Sequence, residues 1–202
     1  QVPRYEPSSI AEASEIVREA SRVFFEGGGA YRAFSQNCSA GGEDSVVLST
    51  KALSGIVDFS PADQVAKIRA GSVLSEVQSE LLSAGQCLPL PIGLGPMLSH
   101  DDATIGAAVS MNLPHPLEAQ RGSWRDWVLG MTVVLADGTA AKSGSSVVKS
   151  VAGYDVHKLF IGARGTLGMI AELTVRTCPA EARGEPSVIW GSAELHEASQ
   201  WV

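Results

Sequence analysis

The first clear pattern along the chain is helical. Ser9-Ile10-Ala11-Glu12 has the form of a capping box, with Ser9 as N-cap and Glu12 three residues later. Ile10, Ala13, Val17 and Ala20 recur at helical spacing and predict a helix to about Arg22. Val23-Phe24-Phe25 predicts a short strand that runs into Gly27-Gly28-Gly29, and Val46 to Ser49 and Ile56 to Phe59 predict two more. From Val65 to Ala70 the polarity alternates, with Ala66, Ile68 and Ala70 on one face, as in a half-exposed strand. Ser72 is the expected cap of a following helix striped by Val73, Val77 and Leu81, and Gly85 is placed to stop it. Strand, turn and helix thus alternate over the first ninety residues, as a small α/β layer requires.

The pattern then changes. Pro89 to Pro116 is dominated by Pro, Gly, Ser and small residues, and such a stretch in a compact domain reads as a functional loop. Met131 to Leu135 predicts a strand, and Ala136-Asp137-Gly138 supplies a hairpin turn. A short amphipathic helix is expected around Val156 to Ile161. A last strand follows from Met169 to Thr177, with Ala171, Leu173 and Val175 toward the core. This second part predicts an antiparallel sheet distinct from the first layer.

Composition narrows the class. The 202 residues are 45% hydrophobic, enough for a core in a soluble globular protein. A formal charge of −7 argues against a nucleic-acid surface, though not against one anionic cofactor held by backbone dipoles. Cys38, Cys87 and Cys178 lie far apart in sequence and form no C-x-x-C, so they do not build a zinc or iron–sulfur site alone; reduced cytoplasmic thiols and no metal are expected. The apolar stretch from Trp127 to Ala136 is too short to span a bilayer, and no signal peptide is visible. The chain starts at Gln1 and stops at Val202 inside a helical pattern, so a fragment of a longer protein is expected.

Three glycine clusters carry the candidate chemistry. Gly27-Gly28-Gly29-Ala30-Tyr31-Arg32 follows a strand, where glycines let backbone N–H groups converge on a pyrophosphate; a plain turn is the alternative, and Arg32 is read as a solvated surface residue. Ala103-Thr104-Ile105-Gly106-Ala107-Ala108 allows close approach by a ligand or, equally, tight helix–sheet packing. Gly122-Ser123 comes soon after, with Arg125 and Asp126 read as fixing the loop. The third cluster runs from Lys149-Ser150-Val151-Ala152-Gly153-Tyr154-Asp155 to Gly162, Gly165-Thr166-Leu167-Gly168 and Ile170; a loop so small-sided can pass along a flat ring. No P-loop occurs, and no G-x-G-x-x-G opens a helix after a strand, so any dinucleotide is bound by another fold.

Together the clusters resemble the FAD-binding (PCMH-type) domain of the vanillyl-alcohol oxidase / p-cresol methylhydroxylase superfamily. The run from Val148 to Pro179 resembles its glycolate oxidase and FAD-linked 2-hydroxy-acid dehydrogenase branch, through Val-Ala-Gly-Tyr-Asp, Phe-Ile-Gly and Gly-Thr-Leu-Gly in that order. The resemblance covers nearly the whole chain. It implies an α+β fold, with a small N-terminal α/β subdomain (about 1–90) and a second subdomain (about 91–178) of antiparallel sheet and flanking helices. Residues 1–178 would form the FAD-binding domain and 179–202 the start of a truncated C-terminal cap. It also implies FAD lying between the subdomains. Gly27, Gly28, Gly29, Ala30 and Tyr31 would hold the pyrophosphate. Ala103, Thr104, Ile105, Gly106, Ala107, Gly122 and Ser123 would line the flavin and ribityl side, and Gly153, Gly165, Thr166, Gly168 and Ile170 would complete the groove.

Departures refine this. Members that attach flavin covalently through the first loop carry His where this chain has Ala30, so noncovalent FAD is expected. Gly106-Ala107 replaces a pair of glycines, Asn112-Leu113-Pro114 stands in a usually glycine-rich stretch, and Ser150 replaces a common Asn. The resemblance implies an oxidoreductase that takes hydride from a small 2-hydroxy acid such as glycolate onto FAD, with substrate groups coming largely from a cap domain. Flavoprotein and iron–sulfur partner subunits would be separate chains. The location would be cytoplasmic, peripheral to the inner membrane where partners attach it. No catalytic base is assigned. Lys149 and the scattered His100, His115, His157 and His196 are read as structural or exposed. A non-catalytic FAD-binding or scaffolding subunit and an unrelated α+β binding domain are the alternatives.

Overall fold

A computed structural model gives the structure over residues 2–29, 45–89, 103–114, 118–144 and 154–180. The first half runs β1 (Arg4–Tyr5), α1 (Ile10–Glu19), β2 (Arg22–Glu26), β3 (Ser45–Ser49), β4 (Ile56–Ser60), β5 (Val65–Arg69), α2 (Leu74–Ser83) and β6 (Gln86–Cys87). Then come α3 (Ile105–Met111), α4 (Glu118–Arg121), α5 (Trp124–Trp127), β7 (Val128–Leu135) and β8 (Ala140–Gly144). A 3-10 turn (Val156–Leu159), β9 (Gly168–Arg176) and β10 (Cys178–Pro179) complete the described chain. Among the described residues no helix is long and apolar enough to cross a membrane.

The first layer is parallel, in the order β1-β3-β2. α1 links its two edges and is capped as its sequence predicts: the Glu12 amide donates to Ser9 Oγ at 3.2 Å, and the Glu12 carboxylate accepts from the Ser8 amide. The helix ends earlier than expected. Ala20 is already extended, and Arg22 pairs with Ser45, so the sheet claims the residues that helical spacing had assigned to α1.

The second sheet is antiparallel, in the order β4-β5-β9-β7-β8. Its membership corrects the expected division near residue 90, because β4 and β5 belong to it. The reason lies in the faces: Ala66 pairs with Val175 and Ile68 with Leu173, so the apolar side of β5 completes a surface begun far along the chain. Against that surface pack Leu74, Val77 and Leu81 of α2, Ile105 and Val109 of α3, and Trp124 and Trp127, whose rings meet edge to face at 5.6 Å. A smaller cluster joins Ala13 and Val17 of α1 and Leu48 of β3 to Val134, Met169 and Ala171. Ala171 is the extra residue where β9 shifts register between Thr132 and Val133, and it turns to this cluster while Leu173 and Val175 stay in the main core.

Two local expectations also shift. Val73, not Ser72, is the N-cap of α2; the Ser72 hydroxyl donates to Arg69 O at 2.7 Å and accepts from the Gly55 amide at 2.8 Å, stitching two loops. Residues 156–159 form a 3-10 turn, tighter and shorter than the helix predicted there.

Candidate functional site: a glycine-rich junction at the end of β2

The carboxyl end of a parallel strand exposes backbone groups that the next turn must satisfy or offer to a ligand. β2 ends at Glu26, held by Arg4 at 2.7 Å and by the Thr50 amide on its carbonyl at 2.8 Å. The chain then enters Gly27-Gly28-Gly29, all half-buried, with Gly29 left-handed at φ 96.

α3 packs beside this turn. Thr104 is its N-cap and accepts from the Ala107 amide at 3.4 Å. A Cβ on Gly27 would lie 2.4 Å from Thr104 Oγ1 and 2.9 Å from the Ala107 methyl, so the β2 turn and the start of α3 touch and a side chain at 27 would fill their junction. The loop 162–166 is the third element. It runs along the end of α3, with the Gly162 amide donating to Val109 O at 3.2 Å and the Arg164 amide to Ser110 O at 2.9 Å. Gly165 lies over Phe25 of β2, a hypothetical Cβ being 3.7 Å from that ring. Gly162, Arg164 and Gly165 are all left-handed (φ 80, 53 and 76), a run that two glycines make accessible. Segments more than fifty residues apart in sequence therefore come together around the end of β2.

The predicted residues divide by their surroundings. Gly27 packs on Thr104 and Ala107, Gly165 lies over Phe25, and Thr166 closes a turn onto Ala163 O. Gly106 points the other way: its hypothetical Cβ would lie 2.6 Å from the Ala70 methyl. Ala103 and Ile105 are fully buried, their carbonyl and amide tied to Leu74 and Ser72. Gly168 is pressed against Val134 O, and Ile170 is a core residue. Gly122 and Ser123 form the turn before α5, where the Ser123 amide and hydroxyl donate to Asp126 at 2.7 and 2.9 Å and hold that carboxyl below its usual range. Arg125 donates to Lys158 O at 3.1 Å, so both charged residues fix loops, as their sequence context suggests. Ala30, Tyr31, Arg32, Cys38, His100, His115, Lys149, Ser150, Gly153, His196 and residues 181–202 of the cap segment expected at 179–202 lie outside the described residues.

His157 is buried, and its backbone amide donates to Ser143 Oγ at 3.1 Å. Burial holds its imidazole below the ordinary value, against the pull of Asp155. Phe25 was not among the candidates read from sequence, and nothing local marks it; it bears on this region through its contact with the distant Gly165.

A parallel layer beside an antiparallel sheet, with a glycine-rich junction at the end of β2, is the architecture of an FAD-binding domain of PCMH type. The family model described as "FAD binding domain" matches residues 4–144, well over half of the chain. The protein belongs to this FAD-binding family, and FAD is its cofactor. It is 35% identical over 132 residues to glycolate oxidase subunit GlcE of Escherichia coli (strain K12), covering 65% of this chain and 37% of that protein. It is also 35% identical over 136 residues to mitochondrial D-2-hydroxyglutarate dehydrogenase of Bos taurus, covering 67% of this chain and 24% of that one. The chain thus spans well under half the length of these relatives. Among solved structures it resembles an alkyldihydroxyacetonephosphate synthase, with TM-score 0.72 and 16% identity over 87% of this chain and 31% of that one, a likeness of fold.

Proposed function

We propose that the chain is the FAD-binding part of a flavin-dependent oxidoreductase that oxidises a small 2-hydroxy acid. The observation that carries this reading is the packing of Gly27 on Thr104 and Ala107 at the end of β2, with Gly165 over the neighbouring Phe25. Small residues there permit close backbone approach, which suits a pyrophosphate and a flat ring. Gly27 to Gly29, with Ala30 and Tyr31 after them, would hold the phosphates, and Thr104, Ala107, Gly165 and Thr166 would border the ring and its ribityl chain. When bound, FAD supplies the hydride acceptor. Gly122, Ser123 and Gly153 belong to the proposed set on family resemblance alone.

Similarity to a glycolate oxidase subunit and a D-2-hydroxyglutarate dehydrogenase supports a 2-hydroxy-acid substrate, with glycolate as the first candidate. The word "subunit" in the first name supports work beside partner chains; flavoprotein or iron–sulfur partners, and a place in the cytoplasm or at the inner membrane face, follow from the family resemblance alone. A scaffolding role drew on the altered loop at Asn112, yet Asn112 sits comfortably as the left-handed C-cap of α3, and Leu113 is buried behind it. That part of the loop is accommodated by the fold, so it does not by itself argue for scaffolding. Ala30 supports noncovalent attachment.

The test is the visible spectrum of the purified full-length protein. Flavin bands that bleach anaerobically with glycolate, D-lactate or D-2-hydroxyglutarate support the proposal, as does release of the flavin on acid denaturation. A colourless protein that gains no thermal stability from added FAD overturns it.

A further inference from the structure

Cysteines 87 and 178, which sequence spacing leaves unrelated, are direct cross-strand partners in the small β6–β10 ladder. Their sulfurs lie 3.4 Å apart although the residues are 91 positions apart. Opposed residues of an antiparallel ladder have Cα atoms about 4.5–5.5 Å apart, inside the window of about 4.4–6.8 Å that a disulfide requires. The two sulfurs differ in setting. Cys87 is 1% exposed, whereas Cys178 is partly open and has the Arg121 guanidinium 4.0 Å from its sulfur. A cation beside the more accessible sulfur is the environment in which thiols act as nucleophiles. The ladder itself is braced by the Thr177 hydroxyl donating to the Gln86 side chain at 2.9 Å and by the Ala180 amide donating to Gly85 O at 3.0 Å.

We propose that Cys87 and Cys178 form a reversible dithiol–disulfide site that exchanges with small-molecule disulfides. Cys178 attacks a disulfide RSSR as its thiolate, forming a Cys178–SR mixed disulfide and expelling one RS⁻. Cys87 then attacks the Cys178 sulfur, forming the Cys87–Cys178 bond and expelling the second RS⁻. The two protein thiols lose two protons and two electrons, and RSSR is reduced to two thiols, so the exchange balances. In a reducing compartment such a bond is transient, as redox-sensing disulfides are. The loop it closes is long, the case in which a cross-link restrains the unfolded chain most.

The experiment uses the intact chain, reduced and then exposed to glutathione disulfide, quenched with N-ethylmaleimide and mapped by peptide mass. The expected product is a Cys87–Cys178 cross-linked peptide that dithiothreitol reverses, formed equally in Cys38→Ser and accompanied by a higher melting temperature. In Cys87→Ser the reaction should stop at glutathione on Cys178, and Arg121→Gln should slow cross-linking several-fold in a chain that still folds. Alkylation of both Cys87 and Cys178 after oxidation, or cross-links that run to Cys38 instead, overturns the proposal; this readout needs only the unsubstituted chain.

Discussion

Around α3, small residues serve different ends. On the sheet side Gly106 is small because Ala70, just past β5, leaves no room, the Gly106 amide donating to Ala70 O at 2.8 Å. On the β2 side Ala107 and Gly27 meet, and Gly165 has only an ordinary contact with Phe25. In sequence these glycines look alike. In space Gly106 and Gly27 are both packing wedges, one against Ala70 and the other against Thr104 and Ala107, whereas Gly165 has room for a Cβ. A glycine-rich motif in this fold therefore mixes residues packed too tightly for a Cβ with residues that have space for one, and the two kinds should fail differently when substituted.

The largest effect should come from the wedge at Gly106. Gly106→Val would drive its methyls into the β5 side of the sheet and should cost about 1–3 kcal/mol of stability, as overpacking does. Thermal unfolding without FAD should show the full loss, with FAD binding falling only as far as the fold does. An unchanged melting temperature would erase the distinction between the two kinds.

Gly165→Ala should act at the end of β2. A side chain in its left-handed conformation costs about 1–2 kcal/mol, so unfolding without cofactor should shift modestly. FAD titration should show a further loss of about tenfold in Kd, or about 1.4 kcal/mol. A stability loss with undiminished affinity would remove this loop from the cofactor path.

The smallest effect concerns His157, buried beside Ser143 of β8. Its folded-state pKa is lowered by burial, so the unfolded chain takes up a proton at higher pH than the folded one. Stability should be level above the ordinary histidine value of about 6.5, decline as pH falls below it, and level again beneath the folded value. His157→Gln should flatten that segment of a denaturation-versus-pH curve. A slope identical in both proteins would assign it to other groups.

Much of the local structure was legible in the chain. The Ser9–Glu12 cap, the Asp137-Gly138 hairpin and the alternation along Val65–Arg69 depend on neighbours within a few residues, and each stands where the pattern puts it. The glycine clusters and their family resemblance were likewise readable, because backbone freedom at Gly29 or Gly165 is a property of the residue itself. Pairing was not. That β5 joins β9, that Ala171 turns from one core to the other and that Cys87 faces Cys178 depend on which surfaces meet across long stretches of chain. Hydrophobic pattern gives a strand its faces but not its neighbour, since many apolar faces satisfy the same burial. The amino-acid order determined the elements, their caps and the small-residue chemistry. Only the folded chain, by packing, decided which glycines are wedges, which have space for a Cβ, and which two thiols stand within reach of each other.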